Sequence, residues 1–217
     1  MIRIITTIGP SSAKSDIVKK MDSSGADIFR INLSHTNVID FENLVKQVQK
    51  WTKKTVALDT EGAQLRTGKL VTPDGTLNIK THDLIKFVGK KSKMIENNIS
   101  INVEKPSCVL KVGDLIKIDF NSAIVQTINI KDDDIIGRVI AGGIIGTNKG
   151  ISVDRKLSLP SFTNKDKKAF DISNRLGIDT IFLSFCSSAN DVIKLREYFN
   201  YNITVISKIE SKAGLEN

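Results

Sequence analysis

The sequence predicts an α/β fold of the (β/α)8-barrel type, incomplete with about five barrel strands, and a small all-β domain inserted after the third strand. Short apolar strands alternate with amphipathic helices near both ends of the chain, which is typical of a parallel sheet covered by helices. Between them, residues 63–154 contain strand-like runs and turn signals but no convincing helical pattern. This interruption of one pattern by another predicts an inserted domain.

Residues 1–62 are predicted to form the first part of the barrel. Their strand candidates are apolar runs rich in β-branched residues, and their helix candidates carry apolar side chains on one face. The predicted elements are a strand at 2–8, a helix at 11–24, a strand at 28–33, a helix at 38–51 and a strand at 55–58.

Residues 63–155 are predicted to form the inserted domain, a small β-barrel. Turn signals such as Pro73-Asp74-Gly75 separate its short apolar runs, as in other all-β modules. The predicted strands lie at 76–79, 84–88, 99–103, 115–120, 123–130 and 135–141.

Residues 156–217 are predicted to form the second, truncated part of the barrel. Thr163 and Asp166 are a capping pair at the start of a helix that Gly177 ends. A complete open sheet of five strands is the alternative fold, but the sequence stops soon after a strand, which favours an incomplete barrel. The predicted elements are a helix at 163–176, a strand at 180–185, a helix at 188–199 and a strand at 203–209.

The composition is that of an ordinary globular protein, 40% hydrophobic and 26% charged. The net charge of 32 − 24 = +8 suits a phosphorylated substrate, nucleic acid or an acidic surface, but also a plain lysine-rich surface. The sequence has no apolar run of bilayer length and no signal peptide, so we expect no membrane association. Cys108 and Cys186 lie far apart and suit no metal spacing, which favours a reducing cytoplasm.

Two further segments resemble binding motifs, one for nucleotides and one for nucleic acids, but we interpret both as ordinary surface. Residues 142–149 are glycine-rich, yet they lack the Gly-Lys-Ser/Thr order and the strand–loop–helix context of a P-loop. Residues 90–93 form a short basic cluster without interleaved aromatic residues, so we expect no nucleic-acid partner.

Polar residues follow the predicted parallel strands where those strands end. Arg30 lies in the segment that ends the second strand and can bind a phosphate with two parallel hydrogen bonds. Asn32 and Ser34, further on, offer neutral oxygens to a hard cation. Lys208 and Glu210 end the last strand two residues apart, so in an extended chain they point the same way. An ammonium beside a carboxylate can neutralise a transferring phosphoryl group and bind a divalent metal, which predicts phosphoryl-transfer chemistry.

Short motifs occur along nearly the whole length of the sequence. They are TTIGPSS at 6–12, FRINLSH at 29–35, LDTEGAQLRTG at 58–68, GTNKG at 146–150, LP at 159–160, SF at 184–185 and SKIE at 207–210. In this order they resemble motifs of the pyruvate kinase family, among them T-I-G-P-A-S, F-R-L-N-F-S-H, L-D-T-K-G-P-E-I-R-T-G and S-K-I-E. The family fold is a barrel interrupted after its third strand by a β domain that acts as a lid.

The resemblance implies conversion of phosphoenolpyruvate and ADP to pyruvate and ATP in glycolysis, by a homotetramer in the family. Arg30 would bind the phosphate of phosphoenolpyruvate, and Lys208 would stabilise the phosphoryl group in flight, which makes these two the catalytic residues. Glu210 would bind Mg²⁺ or Mn²⁺. The implied K⁺ ligands are Asn32, Ser34, Asp59 and Thr60, and the implied nucleotide contacts are Asn32, His35, Arg66 and Lys149.

Several positions depart from the family pattern. Glu61 stands where the family has lysine, which reverses a charge near a site for anions, and Gln64 replaces the glutamate of K⁺-dependent members. The family's second Mg²⁺-binding aspartate, on the next strand, is not in these residues, so we expect the 217-residue chain alone to be inactive. Two alternatives therefore stay open: a divergent paralogue that acts on another enol-phosphate or α-keto acid, and a non-catalytic binding module.

Overall fold

Five parallel strands with helices between them form the first of two units into which the chain divides. Unit 1 comprises Met1–Ala63 with Pro160–Asn217, and unit 2 comprises Gln64–Leu159. The structure is a computed structural model that describes residues 2–92, 95, 98–155, 157 and 159–217. Among the described residues, no helix has the length and apolar character needed to cross a bilayer.

The first stretch of unit 1 alternates strand and helix. The amphipathic helix predicted at 38–51 is found with those bounds, because its apolar residues Phe41, Val45 and Val48 are fully buried against the sheet. The first strand is shorter than the predicted 2–8, since pairing with its neighbour begins only at Ile5. The elements are β1 (Ile5–Ile8), α1 (Ser15–Ser23), β2 (Ile28–Asn32), α2 (Val38–Trp51) and β3 (Thr55–Asp59).

Unit 2 is an all-β structure apart from one 3-10 turn at Pro106–Cys108, within the described residues. Its strands are β4 (Leu65–Arg66), β5 (Thr76–Ile79), β6 (Leu84–Val88), β7 (Asn98–Ser100), β8 (Leu115–Ile118), β9 (Ala123–Lys131), β10 (Asp134–Ala141), β11 (Gly143–Gly146) and β12 (Gly150–Val153). Seven of them form a sheet in the order β4-β12-β8-β9-β10-β6-β7, and β11 pairs with β5. The glycine-rich segment at 142–149 thus includes an antiparallel strand. In the basic cluster at 90–93, Lys93 lies outside the described residues.

The chain then returns to unit 1 and resumes the alternation. Thr163 and Asp166 form the predicted capping box, and Gly177 takes the left-handed conformation that ends the helix. The last elements are α3 (Asn164–Leu176), β13 (Thr180–Leu183), α4 (Ala189–Arg196), β14 (Thr204–Ser207) and α5 (Lys212–Glu216). The parallel sheet has the order β1-β2-β3-β13-β14. The fold is therefore an incomplete (β/α)8 barrel with an inserted β domain, as the sequence predicts.

Each unit has its own apolar core. In unit 1, Phe29 from β2, Phe41 from α2 and Phe170 from α3 are fully buried in the layer between sheet and helices. In unit 2, Phe87 and Ile116 belong to a separate fully buried cluster. Because strand side chains alternate between faces, the residues not used for the core of unit 1 point to the other face of its sheet, where the polar side chains lie.

Candidate active site

A polar layer lies on one face of the parallel sheet, at the carboxyl ends of its strands. A small apolar cluster on that face contains Ile28, Ala57 and Phe182, with Ile206 packed against it. Two residues further along each strand, the next side chain points to the same face. The side chains at those positions are Arg30, Asp59, Ser184 and Lys208. Because β2 pairs with β3, β3 with β13 and β13 with β14, these four side chains lie in one row across the sheet.

Asp59 is the centre of this polar layer. Its carboxylate is fully buried, with Lys208 Nζ 2.9 Å from Oδ1 and Arg30 Nη1 3.3 Å from Oδ2. Within the described part of the chain, Oδ2 receives no hydrogen bond of good geometry. Both cationic side chains are about a quarter exposed (28% for Arg30 and 22% for Lys208). Two partly exposed cationic side chains beside one buried carboxylate present N–H donors to solvent, and such donors can bind an anionic ligand.

Besides Asp59, two residues hold the guanidinium group of Arg30 in place. Thr7 Oγ1, on the neighbouring strand, accepts hydrogen bonds from Nε (3.0 Å) and Nη2 (2.7 Å). The group also lies 5.8 Å from the ring centroid of Phe182, within the range of a cation–π contact. A planar guanidinium fixed in this way is pre-organised to bind a phosphate.

Glu210 extends the cluster on the side of β14. Its Oε1 lies 3.6 Å from Lys208 Nζ, and its Oε2 accepts a hydrogen bond of 3.0 Å from the backbone N–H of Phe185. Phe185 also adopts a left-handed backbone conformation with φ of +53°, which is rare for a non-glycine residue. The same carboxylate is exposed and can still meet a ligand.

Neutral oxygens lie at the same strand ends as the buried carboxylate, and one of them, Ser184 Oγ, contacts it. Ser184 Oγ lies 2.5 Å from the carbonyl oxygen of Thr60 and 3.2 Å from Asp59 Oδ1. Asn32 and Ser34 lie in and just after β2, where Asn32 Oδ1 accepts a hydrogen bond of 2.8 Å from the backbone N–H of Ser34. His35 ends the same short turn and is exposed.

The donor set suits the cations that the resemblance implies. K⁺ and Mg²⁺ prefer oxygen ligands. Asp59 Oδ2 is a buried anionic oxygen that receives no hydrogen bond among the described residues, although Arg30 Nη1 lies 3.3 Å from it. Glu210 supplies one carboxylate, and Mg²⁺ in phosphoryl-transfer sites takes its other ligands from water and phosphate. Among the described residues, no three His, Cys, Asp or Glu side chains converge as a complete metal site.

Arg66 and Lys149, the two remaining predicted residues, are neighbours within unit 2. Strands β4 and β12 pair Arg66 with Gly150, and Arg66 Nη1 donates to the carbonyl oxygen of Asn148 at 3.1 Å. Lys149 Nζ lies 2.9 Å from a carboxylate oxygen of Asp119. Both side chains are partly exposed, so unit 2 presents two cations next to each other.

The match to known proteins extends over the whole sequence. The family described as "Pyruvate kinase, barrel domain" matches residues 1–217. The chain belongs to the pyruvate kinase family. A pyruvate kinase of Lactobacillus delbrueckii subsp. bulgaricus is 33% identical over 230 residues, which cover 99% of this chain and 38% of that protein. The pyruvate kinases of Geobacillus stearothermophilus (29% identical; 99% and 38% covered) and Aeropyrum pernix (26% identical; 99% and 47% covered) are similar to it as well. The chain spans less than half the length of these curated relatives.

Several contacts of this pyruvate kinase-type cluster were not assigned from the sequence. Thr7 and Ser184 stand in family-like motifs, and their strand-end positions are the signal that would have marked them as partners of Arg30 and Asp59. The contact of Phe185 with Glu210 has no sequence signal, because it depends on an unusual backbone conformation. The reversed charge at Glu61 is paired: its Oε1 lies 3.4 Å from Lys165 Nζ at the start of α3.

Proposed function

We propose that the protein containing this chain transfers the phosphoryl group of phosphoenolpyruvate to ADP, with Mg²⁺, and releases pyruvate and ATP. The observation that carries the proposal is the buried Asp59 carboxylate between the Arg30 guanidinium and the Lys208 ammonium, with Glu210 beside Lys208. Family membership supports the same reaction class. Phosphoryl transfer needs positioning and charge neutralisation rather than covalent work by the protein, and this cluster offers both.

In this proposal each member of the cluster has one role. Arg30 binds the phosphate of phosphoenolpyruvate, and Lys208 stabilises the phosphoryl group while its bond to the enol oxygen breaks and its bond to a terminal oxygen of ADP forms. Asp59 keeps both cations in place. Glu210 is a ligand of Mg²⁺, which supplies further neutralisation of the phosphate oxygens when it is bound. The enolate left behind takes up a proton to become pyruvate.

The proposal includes a monovalent cation, a nucleotide and a moving domain. The proposed K⁺ ligands are Asn32, Ser34, Asp59 and Thr60, and the proposed nucleotide contacts are Asn32, His35, Arg66 and Lys149. We propose that the inserted domain, residues 63–155, acts as a lid whose closure excludes water, so that the phosphoryl group reaches ADP. A cytoplasmic, glycolytic role and a homotetramer belong to this proposal for the natural protein.

A coupled assay of pyruvate formation on the natural protein tests the proposal. We expect Lys208→Met to lower kcat by about 10²- to 10³-fold, since it removes a cation aimed at developing charge. The matched control is Lys212→Met, because Lys212 is an exposed residue that forms a surface ion pair with Glu216. No pyruvate formation by the wild type, or equal activity in the two variants, contradicts the proposal.

A second candidate, a paralogue that uses another enol-phosphate or α-keto acid, is favoured by one observation. Glu61 places a carboxylate where the family has lysine, and Lys165 compensates it by an ion pair of 3.4 Å. Screening enol-phosphates with ADP decides between the two candidate functions. A strong preference for phosphoenolpyruvate would exclude the paralogue hypothesis.

A further inference from the structure

The amino end of α3 contacts both loops that carry the candidate cation ligands. We define the first ligand loop as residues 32–35 and the second ligand loop as residues 59–62. Thr163 is the N-cap of α3, so Lys165 and Asp166 are the second and third residues of the helix. Neither residue belongs to the cluster around Asp59.

Lys165 connects the two ligand loops. Its Nζ donates a hydrogen bond to the carbonyl oxygen of Leu33 and lies 3.4 Å from Oε1 of Glu61. Leu33 stands between Asn32 and Ser34 in the first ligand loop, and Glu61 follows Thr60 in the second. One ammonium therefore contacts both of the loops that contain the candidate K⁺ ligands.

Asp166 fixes the backbone of the second ligand loop. Its side chain is fully buried, Oδ1 accepts from the N–H of Glu61 at 2.7 Å, and Oδ2 accepts from the N–H of Gly62 at 3.2 Å. Oδ2 also accepts from the N–H of Thr163 at 2.9 Å, which completes the capping box. Burial raises the pKa of this carboxyl, against the hydrogen bonds from Thr163 and Glu61, which lower it. In the capping box the only partner of Asp166 is Thr163. The bonds from Glu61 and Gly62 to Asp166 are therefore not needed to cap the helix.

We propose that Lys165 and Asp166 are positioning residues that hold the two ligand loops at the spacing the monovalent cation requires. The inference rests on the proposed function. Groups one step removed from metal ligands fix ligand orientation, and losing them weakens metal binding by about 10- to 100-fold. Loss of the Lys165 ammonium would also leave the Glu61 carboxylate without its partner. That charge alone would favour a cation, so weaker binding would report lost positioning rather than lost charge.

The test compares three variants of the natural protein: Lys165→Met, Lys165→Arg and Lys168→Met. The first keeps the length of the side chain and removes the charge, the second keeps the charge, and the third makes the same change at an exposed position of α3. Thallium-205 NMR measures the dissociation constant of Tl⁺, which replaces K⁺, without any turnover. The coupled assay gives the K⁺ concentration for half-maximal activity, and thermal unfolding checks that each variant is folded.

We expect Lys165→Met to raise the Tl⁺ dissociation constant and the half-maximal K⁺ concentration by about tenfold. Lys165→Arg should restore most of the affinity, and Lys168→Met should match the wild type. A purely structural role would lower the unfolding temperature of Lys165→Met and leave its Tl⁺ affinity unchanged, which would overturn the proposal. Asp166→Asn should weaken Tl⁺ binding as well; if it does not fold, Lys165→Met decides.

Failure of this inference differs from failure of the proposed function. A wild type that makes no pyruvate from phosphoenolpyruvate contradicts the function. A wild type that makes pyruvate but binds no Tl⁺, or Lys165→Met with the affinity of Lys168→Met, overturns the positioning role alone.

Discussion

Gly62 occupies a position that no other residue fits, for two separate reasons. Its φ of +72° is in the left-handed region, and a Cβ there would lie 2.7 Å from Phe185 Cδ2 and 2.8 Å from Ser184 Cβ. The close approach brings the second ligand loop against the segment that carries Ser184 and Phe185, both of which contact site carboxylates. The absence of a side chain at Gly62 therefore allows the backbone packing that places Ser184 and Phe185 beside the site carboxylates.

We expect Gly62→Ala to lower the free energy of unfolding by about 2 to 4 kcal/mol, from backbone strain plus steric overlap. Gly177→Ala is the matched control: Gly177 has nearly the same φ, +68°, and no atom of the described residues lies within 4 Å of where its Cβ would be. It should cost only about 1 kcal/mol, for strain alone. Urea denaturation measures both values, and equal losses would contradict the steric part of the argument.

The residue contacts of the site that could be predicted from the sequence are those that follow from strand periodicity. Arg30, Asp59 and Lys208 lie toward the carboxyl ends of β2, β3 and β14 in one parallel sheet, in which β13 separates β3 from β14. Their place on one face of that sheet follows from the alternation of side chains and from the sheet order. The roles assigned to them remain predictions. The contact between Phe185 and Glu210 was not predictable, because it depends on a left-handed residue whose conformation is set by distant packing rather than by local sequence.

Among the secondary-structure elements, α4 has a start that is fixed by the hydrogen bonds of one side chain, Asp191. Asp191 accepts hydrogen bonds from Ser161 Oγ (2.6 Å) and from the backbone N–H groups of Ser187 (2.9 Å) and Ser188 (3.0 Å). Burial would raise the pKa of Asp191, but the hydrogen bonds from Ser161, Ser187 and Ser188 outweigh it, so the pKa lies below its ordinary value. A carboxyl whose pKa is lowered by folding stabilises the fold above its unfolded pKa, and this contribution is lost as pH falls through the folded pKa.

We expect Asp191→Asn to lower the free energy of unfolding by about 1 to 2 kcal/mol at pH 7, since an amide cannot replace both acceptor oxygens. The difference from the wild type should shrink as the pH falls below about 4, where the carboxyl of the unfolded chain begins to take up a proton while the folded one still resists it. Urea denaturation at a series of pH values measures it. A difference that stays constant down to about pH 3 would show that the charge of Asp191 contributes nothing.

Elements with a strong pattern of their own were predictable, and elements defined by their partners were not. The bounds of α2 and the ends of α3 follow from apolar spacing and from the capping residues. Strands β4 and β12 were missed because they have two and four residues and exist through their pairing with each other and with β8. Helix α5 was missed because five residues contain too few turns to show a period.

At the scale of the whole molecule, each of the two units has an apolar core of its own. The buried side chains of unit 2, including Phe87, Ile116 and Val125, form a cluster separate from that of unit 1. Most of its strands are neighbours in an antiparallel sheet, which needs no partner from outside unit 2.

We expect residues 64–159, expressed alone, to fold and to melt cooperatively, because a domain with its own apolar core can fold alone. Phe87→Ala in this fragment should cost about 3 to 5 kcal/mol, as Phe87 is fully buried. Two-dimensional NMR and calorimetry measure both properties. A fragment without dispersed amide signals would contradict the independence of unit 2.

We propose that this chain carries part of a site that moves a phosphoryl group from phosphoenolpyruvate to ADP. Phosphorus-31 NMR on the natural protein with both substrates and Mg²⁺ follows the transferred atom directly. We expect the γ-phosphate signal of ATP to replace the phosphoenolpyruvate signal, with little inorganic phosphate. Lys208→Met should abolish this transfer, while Lys212→Met should not. Unchanged phosphoenolpyruvate in the wild type, release of inorganic phosphate instead of ATP, or equal transfer by the two variants would contradict the proposal.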